Sequence, residues 1–300
     1  MSTIIIEEAE IARGKEMQAL NARINAGGDR LMLHLADRDI EAIWYAAKEP
    51  GRPLLVTMHG GGFLFGGSAL DKNMWKSLRD AWDVNVASIG YRMTPEHRFP
   101  DALYDCYESI LYLRDRMPEL AFDREHISVM GNSAGANLAA ATCLLAAQKG
   151  DLRLKNQILI YPLLDLYTAP EEKAPELVGD YAMDELFHKL YVDREAAKDP
   201  LVSPIYADTD ALAKVPEAMI VVCEYDNLRG EGEAYAGKLT EAGVTTYLHL
   251  AKDMAHIFFE NAFMMPRSDE ATEEWELAER ELIQKRTGEV MEFIASHYER

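Results

Sequence analysis

The chain is poor in cysteine, in basic charge and in long apolar runs. Only three of its 300 residues are cysteine, and Cys106, Cys143 and Cys223 stand far apart with no C-x-x-C pairing. That spacing excludes a disulfide scaffold, and the three read as small core residues of a reducing compartment. Against 51 Asp and Glu there are 31 Lys and Arg, a formal charge of -20. Such a surface repels phosphate backbones and anionic lipid headgroups, so neither nucleic acid nor membrane is an expected partner. No apolar window approaches the roughly 20 residues that span a bilayer. The N-terminus, MSTIIIEEAEIARGK, follows three isoleucines with acidic residues and lacks the apolar core of a signal peptide. A cytoplasmic location is the expectation.

Hydrophobic residues make up 48% of the chain, enough for one large core. From about residue 30, short apolar runs alternate with longer helical patterns, the signature of a mostly parallel sheet covered by helices. Eight strands are predicted. RLMLHLA and DIEAIWYA alternate in polarity, as an antiparallel pair at a sheet edge should. PLLVTMH (53–59), VNVASIGY (84–91), HISVMG (126–131), NQILIYP (156–162), AMIVVCEYD (218–226) and VTTYLHL (244–250) read as more deeply buried. Helices are predicted at about 3–25, 69–82, 101–117, 134–149, 229–242 and from about 268 to the end. Residues 165–210 break the alternation with several prolines and the helical pattern DYAMDELFHKLYVD, a longer insertion than compact α/β units usually carry. A lid is the expectation there. The last strand would lie at a sheet edge, where it could pair with its own copy to make a homodimer.

GNSAG, at 131–135, falls where a strand ends and a small-residue helix begins. A serine at such a turn is forced into strained backbone angles that push its hydroxyl outward, and the helix start aims N–H groups at the space beside it. Ser133 is therefore the candidate nucleophile. A serine hydroxyl needs a histidine to take its proton and a carboxylate to orient that histidine. Asp226, after AMIVVCEY, and His256, after VTTYLHL, would emerge at the same carboxyl edge of the sheet. The rivals are placed less well: His249 and Glu224 lie inside strand patterns, and Asp253 sits in the histidine's own loop. HGGGF (59–63) follows PLLVTM, and its glycines can turn successive N–H groups toward a developing negative charge. Gly61, Gly62 and Ala134 are the candidate oxyanion hole. A phosphate cradle is the competing reading, but no Lys-Ser or Lys-Thr pair follows. The chemistry calls for no metal and no cofactor.

These motifs together resemble the hormone-sensitive lipase-like esterases of the α/β-hydrolase fold. HGGGF, YRMTPEHRFPDALYDC (91–106), GNSAG, EYDNLRGEGEAYAGKL (224–239) and MAHIFF (254–259) carry the likeness, which extends over about residues 50–260. The resemblance implies an α/β-hydrolase fold: a mostly parallel eight-stranded sheet flanked by helices, in a single domain over 1–300. It also implies a small cap from about 1–25 and 165–210, and the same triad and oxyanion residues. By the same likeness, Pro95 and Pro100 stiffen a loop, and Arg92 and Glu96 form hydrogen-bonded pairs that brace the glycine loop. Four positions depart from the family pattern. Asn132 stands for aspartate, Asn227 and Gly230 for proline and aspartate, and Ile257 for the glycine after the histidine.

The implied activity is hydrolysis of a small-molecule carboxylic ester through an acyl-enzyme, with acetyl- or butyryl-sized acyl groups. Phe63, Phe65 and Asn132 are candidate substrate contacts. Tyr181, Met183, Phe187 and Tyr191 have the spacing of a helix packing face. Two alternatives stay open on the same scaffold. One is an amide or formamide hydrolase using the same triad; the other is a ligand-binding module, as in plant hormone receptors that resemble these esterases but lack the histidine.

Overall fold

Polarity decides where each strand sits. In the structure, a computed structural model that describes residues 2–173, 181–264 and 274–298, β1 (Asp29–His34) and β2 (Asp39–Tyr45) pair antiparallel at one edge. β2 then runs antiparallel to β4 (Asn85–Gly90). The strands β3 (Pro53–Met58), β5 (Asp123–Asn132), β6 (Asn156–Ile160), β7 (Glu217–Tyr225) and β8 (Thr246–Ala255) join β4 in parallel. β3 and β6 are buried at every position, so their sequences are mostly apolar, and the polar Thr57, Asn156 and Gln157 are buried with them. The order across the sheet is β1-β2-β4-β3-β5-β6-β7-β8. β8 lies at the far edge as expected, but it continues to Ala255 where the apolar pattern stops at Leu250. Its pairing with β7, from Ala218–Thr246 to Tyr225–Ala255, carries the polar residues along in the ladder.

The chain leaves β3 for β4 on one side and returns to β5 on the other. Connections that diverge in this way open a crevice at the carboxyl ends of the two strands. HGGGF lies at one lip and Ser133 at the other. One apolar layer packs α3 (Asp101–Arg116), α4 (Ala134–Lys149) and α8 (Arg229–Glu241) on one face of the sheet. The other packs α2 (Lys72–Trp82), α9 (Phe258–Met264) and α10 (Glu274–His297) on the opposite face. The predicted start of the last helix, near 268, lies outside the described residues. Among the described residues, no helix is long and apolar enough to cross a membrane.

Over the crevice lie α1 (Ser2–Arg23) and α6 (Ala182–Tyr191), from the two segments expected to form a cap. Ile11, Leu64, Phe65, Met183, Leu186, Phe187 and Leu190 form a small apolar cluster of their own, separate from both core layers. The rest of the 165–210 stretch holds the short helices α5 (Pro170–Lys173) and α7 (Thr209–Leu212) and single 3-10 turns.

The braces of the glycine loop differ from the expected Arg92 and Glu96 pairing. Arg92 instead grips Asp105 through Nε and Nη2, each at 2.9 Å, and Arg38 binds the same fully buried carboxylate. Glu96 faces outward to Lys15 on α1, 2.6 Å away. The loop itself is held by Thr94, whose N–H and hydroxyl both donate to the Phe63 carbonyl at 2.9 and 3.1 Å. Asp105→Ala would leave two guanidinium groups without their buried counter-charge, a loss of about 3–5 kcal/mol. Glu96→Ala breaks an exposed pair and should cost within about 0.5 kcal/mol. Urea unfolding of both variants checks this contrast, and equal losses would contradict it.

Candidate active site

Ser133 occupies the turn between β5 and α4 with φ 53° and ψ −119°, a strained conformation for a residue with a Cβ. Glycines on both sides allow the turn to be that tight. A Cβ on Gly135 would lie 2.1 Å from the Met58 carbonyl oxygen, and one on Gly131 would lie 2.1 Å from the Gly135 carbonyl oxygen. The turn is fixed from the neighbouring strand by the Ser133 N–H, which donates to the Ile160 carbonyl at 2.9 Å.

Three strand ends then converge. His256, just past β8, has Nε2 at 2.9 Å from Ser133 Oγ and Nδ1 at 2.7 Å from Asp226 Oδ2. Asp226, just past β7, is 4% exposed, and its other oxygen accepts the Leu228 N–H at 2.9 Å. Both carboxylate oxygens are therefore bonded, which pins the orientation of this buried side chain. Burial disfavours the charged imidazolium of His256. Asp226, by charge and hydrogen bond, with the negative charges of Asp184 and Glu231, outweighs it and holds the pKa above the usual 6.5. The rivals are engaged elsewhere. His249 lies mid-strand in β8 with its ring 5.1 Å from Phe293, Glu224 accepts the Asp253 N–H, and Asp253 pairs with Arg286.

Gly61 and Gly62 take φ of 114° and 61°, and their N–H groups have no acceptor among the described residues. Ala134 opens α4, where the first N–H groups have no intrahelical acceptor. A Cβ on Gly62 would fall 2.3 Å from the Phe187 ring, so only glycine lets that ring of α6 pack onto the loop. His59, at the head of the loop, is buried and stacked on Tyr91 at 4.2 Å. Burial pushes its pKa down to about 4, against a bond with the Gly60 carbonyl, so the ring is neutral scaffold.

Beside Ser133 opens a cavity of about 560 Å³ that Gly62, Leu163, Tyr181, Asp184, Phe187, His188, Tyr225, Asn227, Ile257 and the His256–Asp226 pair help to line. A larger groove of about 670 Å³ lies by Asn156 and Glu217, at the opposite ends of β6 and β7, and no histidine lines it. The predicted substrate contacts Phe63, Phe65 and Asn132 are not on the cavity wall. Phe63 is fully buried and stacks on Tyr191 at 3.7 Å. Phe65 meets the edge of Phe187 with Arg13 over its ring. Asn132 is the last residue of β5, and its side chain is buried away from the cavity. Its Nδ2 donates to the buried Glu260 of α9 at 2.8 Å.

The suspected packing face of α6 divides in two. Tyr191 and Met183 pack, whereas Tyr181 and Phe187 line the cavity. Asp184, His188 and Tyr225 on the wall were not foreseen. Residues 181, 184 and 188 repeat at helical spacing, and that stripe was the available signal. Asn227 has a partner as well: its Nδ2 donates to Asp184 Oδ2 at 2.8 Å, tying α6 to the turn that carries Asp226.

A strand-turn-helix serine hydrogen-bonded to a histidine and a buried aspartate, on an eight-stranded sheet of this order, points to one superfamily. The family described as alpha/beta hydrolase fold matches residues 55–260. The chain belongs to this family. Within it, the chain sits among the hormone-sensitive lipase-like carboxylesterases. An arylesterase of Saccharolobus solfataricus is 35% identical over 222 residues, 72% of this chain and 71% of that protein. An ethyl acetate hydrolase of Pseudomonas putida is 30% identical over 223 residues, 72% of this chain and 69% of that protein. Among solved structures, an esterase of Pyrobaculum calidifontis has a TM-score of 0.76 at 27% identity, over 98% of this chain and 94% of that one.

Ile257 follows the histidine with φ 62°, and its side chain is 48% exposed at the mouth of the hydrolase cavity. A β-branched residue in the left-handed region is strained by about 1–3 kcal/mol, while its exposed side chain contributes little packing. Ile257→Gly relieves that strain and gives back about 1 kcal/mol or less in chain entropy. Stability equal to or above that of the parent is expected in urea unfolding; a loss of more than about 1 kcal/mol would show that the isoleucine is held by packing instead.

Proposed function

We propose that the protein is a serine carboxylic-ester hydrolase that acts through an acyl-enzyme. The observation that carries this reading is the unbroken relay Ser133 Oγ, His256 Nε2, His256 Nδ1 and Asp226 Oδ2, each link within hydrogen-bond reach. Asp226 fixes the imidazole tautomer, leaving Nε2 free to accept the Ser133 proton as Oγ attacks the ester carbonyl. The N–H groups of Gly61, Gly62 and Ala134 receive the carbonyl oxygen as it becomes an oxyanion. His256 passes the proton to the departing alcohol. Water then enters, gives a proton to His256 and attacks the acyl carbon, and the proton returns to Ser133 as the acid leaves.

Short acyl groups fit this reading, because Phe187 packs onto Gly62 and Leu163 closes the wall near Ser133. The ethyl acetate hydrolase among the relatives supports it too. A reducing, cytoplasmic setting agrees with three buried, unpaired cysteines. The filled histidine position supports catalysis over ligand binding alone.

Turnover of p-nitrophenyl acetate and butyrate should vanish in Ser133→Ala and fall steeply for longer acyl chains; unchanged turnover in that variant removes the assignment. His256→Ala should lose at least about 10³-fold in kcat, and His249→Ala less than about tenfold. The reverse ranking would show the wrong histidine had been chosen. The base must be neutral to accept a proton, and its folded pKa is raised. Activity should therefore climb with pH through a midpoint above 6.5. A kcat/KM profile whose acid limb lies at or below 6.5 would contradict the charge environment described for His256.

A further inference from the structure

The cavity beside Ser133 combines aromatic rings with one carboxylate outside the relay. Tyr181 and Phe187 contribute from the α6 side, and Tyr225 from the end of β7. Asp184 lies among them, its Oδ2 bonded to Asn227. No lysine or arginine lines this cavity among the described residues. His188, also on the wall, stays uncharged: burial, with Lys173 and Arg194 nearby, pushes its pKa down to about 3.

The cations of α5, α6 and the turn after α6 are engaged with other groups. Lys173 is buried against Glu231, Lys189 pairs with Glu7, and Arg194 lies over the Tyr167 ring. The adjoining stretch APELVGD (174–180) adds two acids to the sequence and no base. Across the whole chain the formal charge is -20, so the long-range field has the same sign as the cavity wall.

We propose that this cavity selects esters whose alcohol part carries a compact alkylammonium group, with Asp184 as the specificity-determining residue. The proposal rests on the ester-hydrolase reading of the same site. Ring faces attract a cation through their quadrupole, and a nearby carboxylate adds direct attraction in a site partly shielded from water. An alkylated ammonium is weakly hydrated and loses little on leaving solvent. An anionic alcohol part meets Asp184 with no compensating base on the wall.

The test compares two acetate esters of the same shape: that of 2-(trimethylammonio)ethanol and its neutral isostere, 3,3-dimethylbutyl acetate. The ratio of their kcat/KM values is taken within each enzyme preparation, so differences in folded fraction cancel. The wild-type ratio should be about tenfold or more in favour of the cation at low salt, and should shrink in 1 M NaCl. Asp184→Asn retains an oxygen to accept the Asn227 amide and removes only the charge; its ratio should fall to within about threefold of one.

A wild-type ratio near one, or an unchanged ratio in Asp184→Asn, overturns the proposal. Inactivity toward both esters would count against the hydrolase reading instead. In that case calorimetric titration of Ser133→Ala with phenyltrimethylammonium decides. Binding that disappears in Ser133→Ala/Asp184→Asn upholds recognition of the cation, and absence of binding in Ser133→Ala rejects it.

Discussion

The close approach of α4 to the end of β3, through Gly135 and the Met58 carbonyl, is the constraint on which the rest of the site depends. With 2.1 Å between that oxygen and any Cβ at position 135, a single methyl group would push the helix away from the sheet. Helix and strand in contact leave one residue, Ser133, to make the turn, and it does so at a positive φ. A strained serine survives there because its surroundings over-determine it. Its N–H is held by β6, Gly131 is packed against Gly135, and α4 is buried along nearly its whole length by small residues. Ala134 follows from the same geometry, since the residue after such a turn presents its N–H at the start of a helix.

Two buried acids near the turn differ in how their oxygens are bonded. Asp226 has a donor at each oxygen, His256 and the Leu228 N–H, and serves as the anion of the relay. Glu260 accepts the Asn132 amide at Oε1, while Oε2 has no partner among the described side chains. Burial, reinforced by the charge of Asp71, pushes its pKa up to about 8. This accounts for Asn132 at a position where the family pattern has aspartate. A second acid there would face Glu260 at hydrogen-bond distance, and only protonation of one of them could relieve the repulsion. The amide supplies a donor without a charge, so α9, which follows directly on the His256 loop, can lie against the end of β5.

What could be read from the sequence divides along physical lines. Strand positions, their alternation with helices, Ser133, Asp226, His256 and the glycine loop are written in local patterns: apolar runs, a small-residue helix start and the chain order of strand ends. Side-chain direction at the site is a tertiary property. Phe63 reads as an acyl-site residue because it adjoins the glycines, yet a positive φ and the Tyr191 ring place it in the core. Arg92 and Glu96 are close in sequence, but Asp105 offers Arg92 a buried carboxylate, and Glu96 is left to the exposed Lys15. Asp184 shares a helical stripe with Tyr181 and His188, but the pattern does not say which neighbour the stripe faces, and Tyr225 at a strand end carries no period of its own.

The two segments over the crevice, α1 and α6, meet the loop beneath them through a small apolar cluster and partly exposed polar pairs. Among the described residues of that cluster Leu64, Leu186 and Leu190 are buried and the others half-buried, and the polar ties include Lys15 to Glu96, Lys189 to Glu7 and Asn227 to Asp184. Exposed ion pairs of this kind contribute about 0–1 kcal/mol each. The relay beneath stands on strands locked into the sheet and on helices buried between two apolar layers. α6 is anchored more firmly at its end, where Tyr191 is fully buried against Phe63 and its carbonyl accepts the Phe99 N–H at 2.9 Å. The tie between Asn227 and Asp184 couples the two levels. It joins the α6 side of the cavity to the residue next to Asp226, so a ligand that engages Asp184 also loads the turn that orients the histidine.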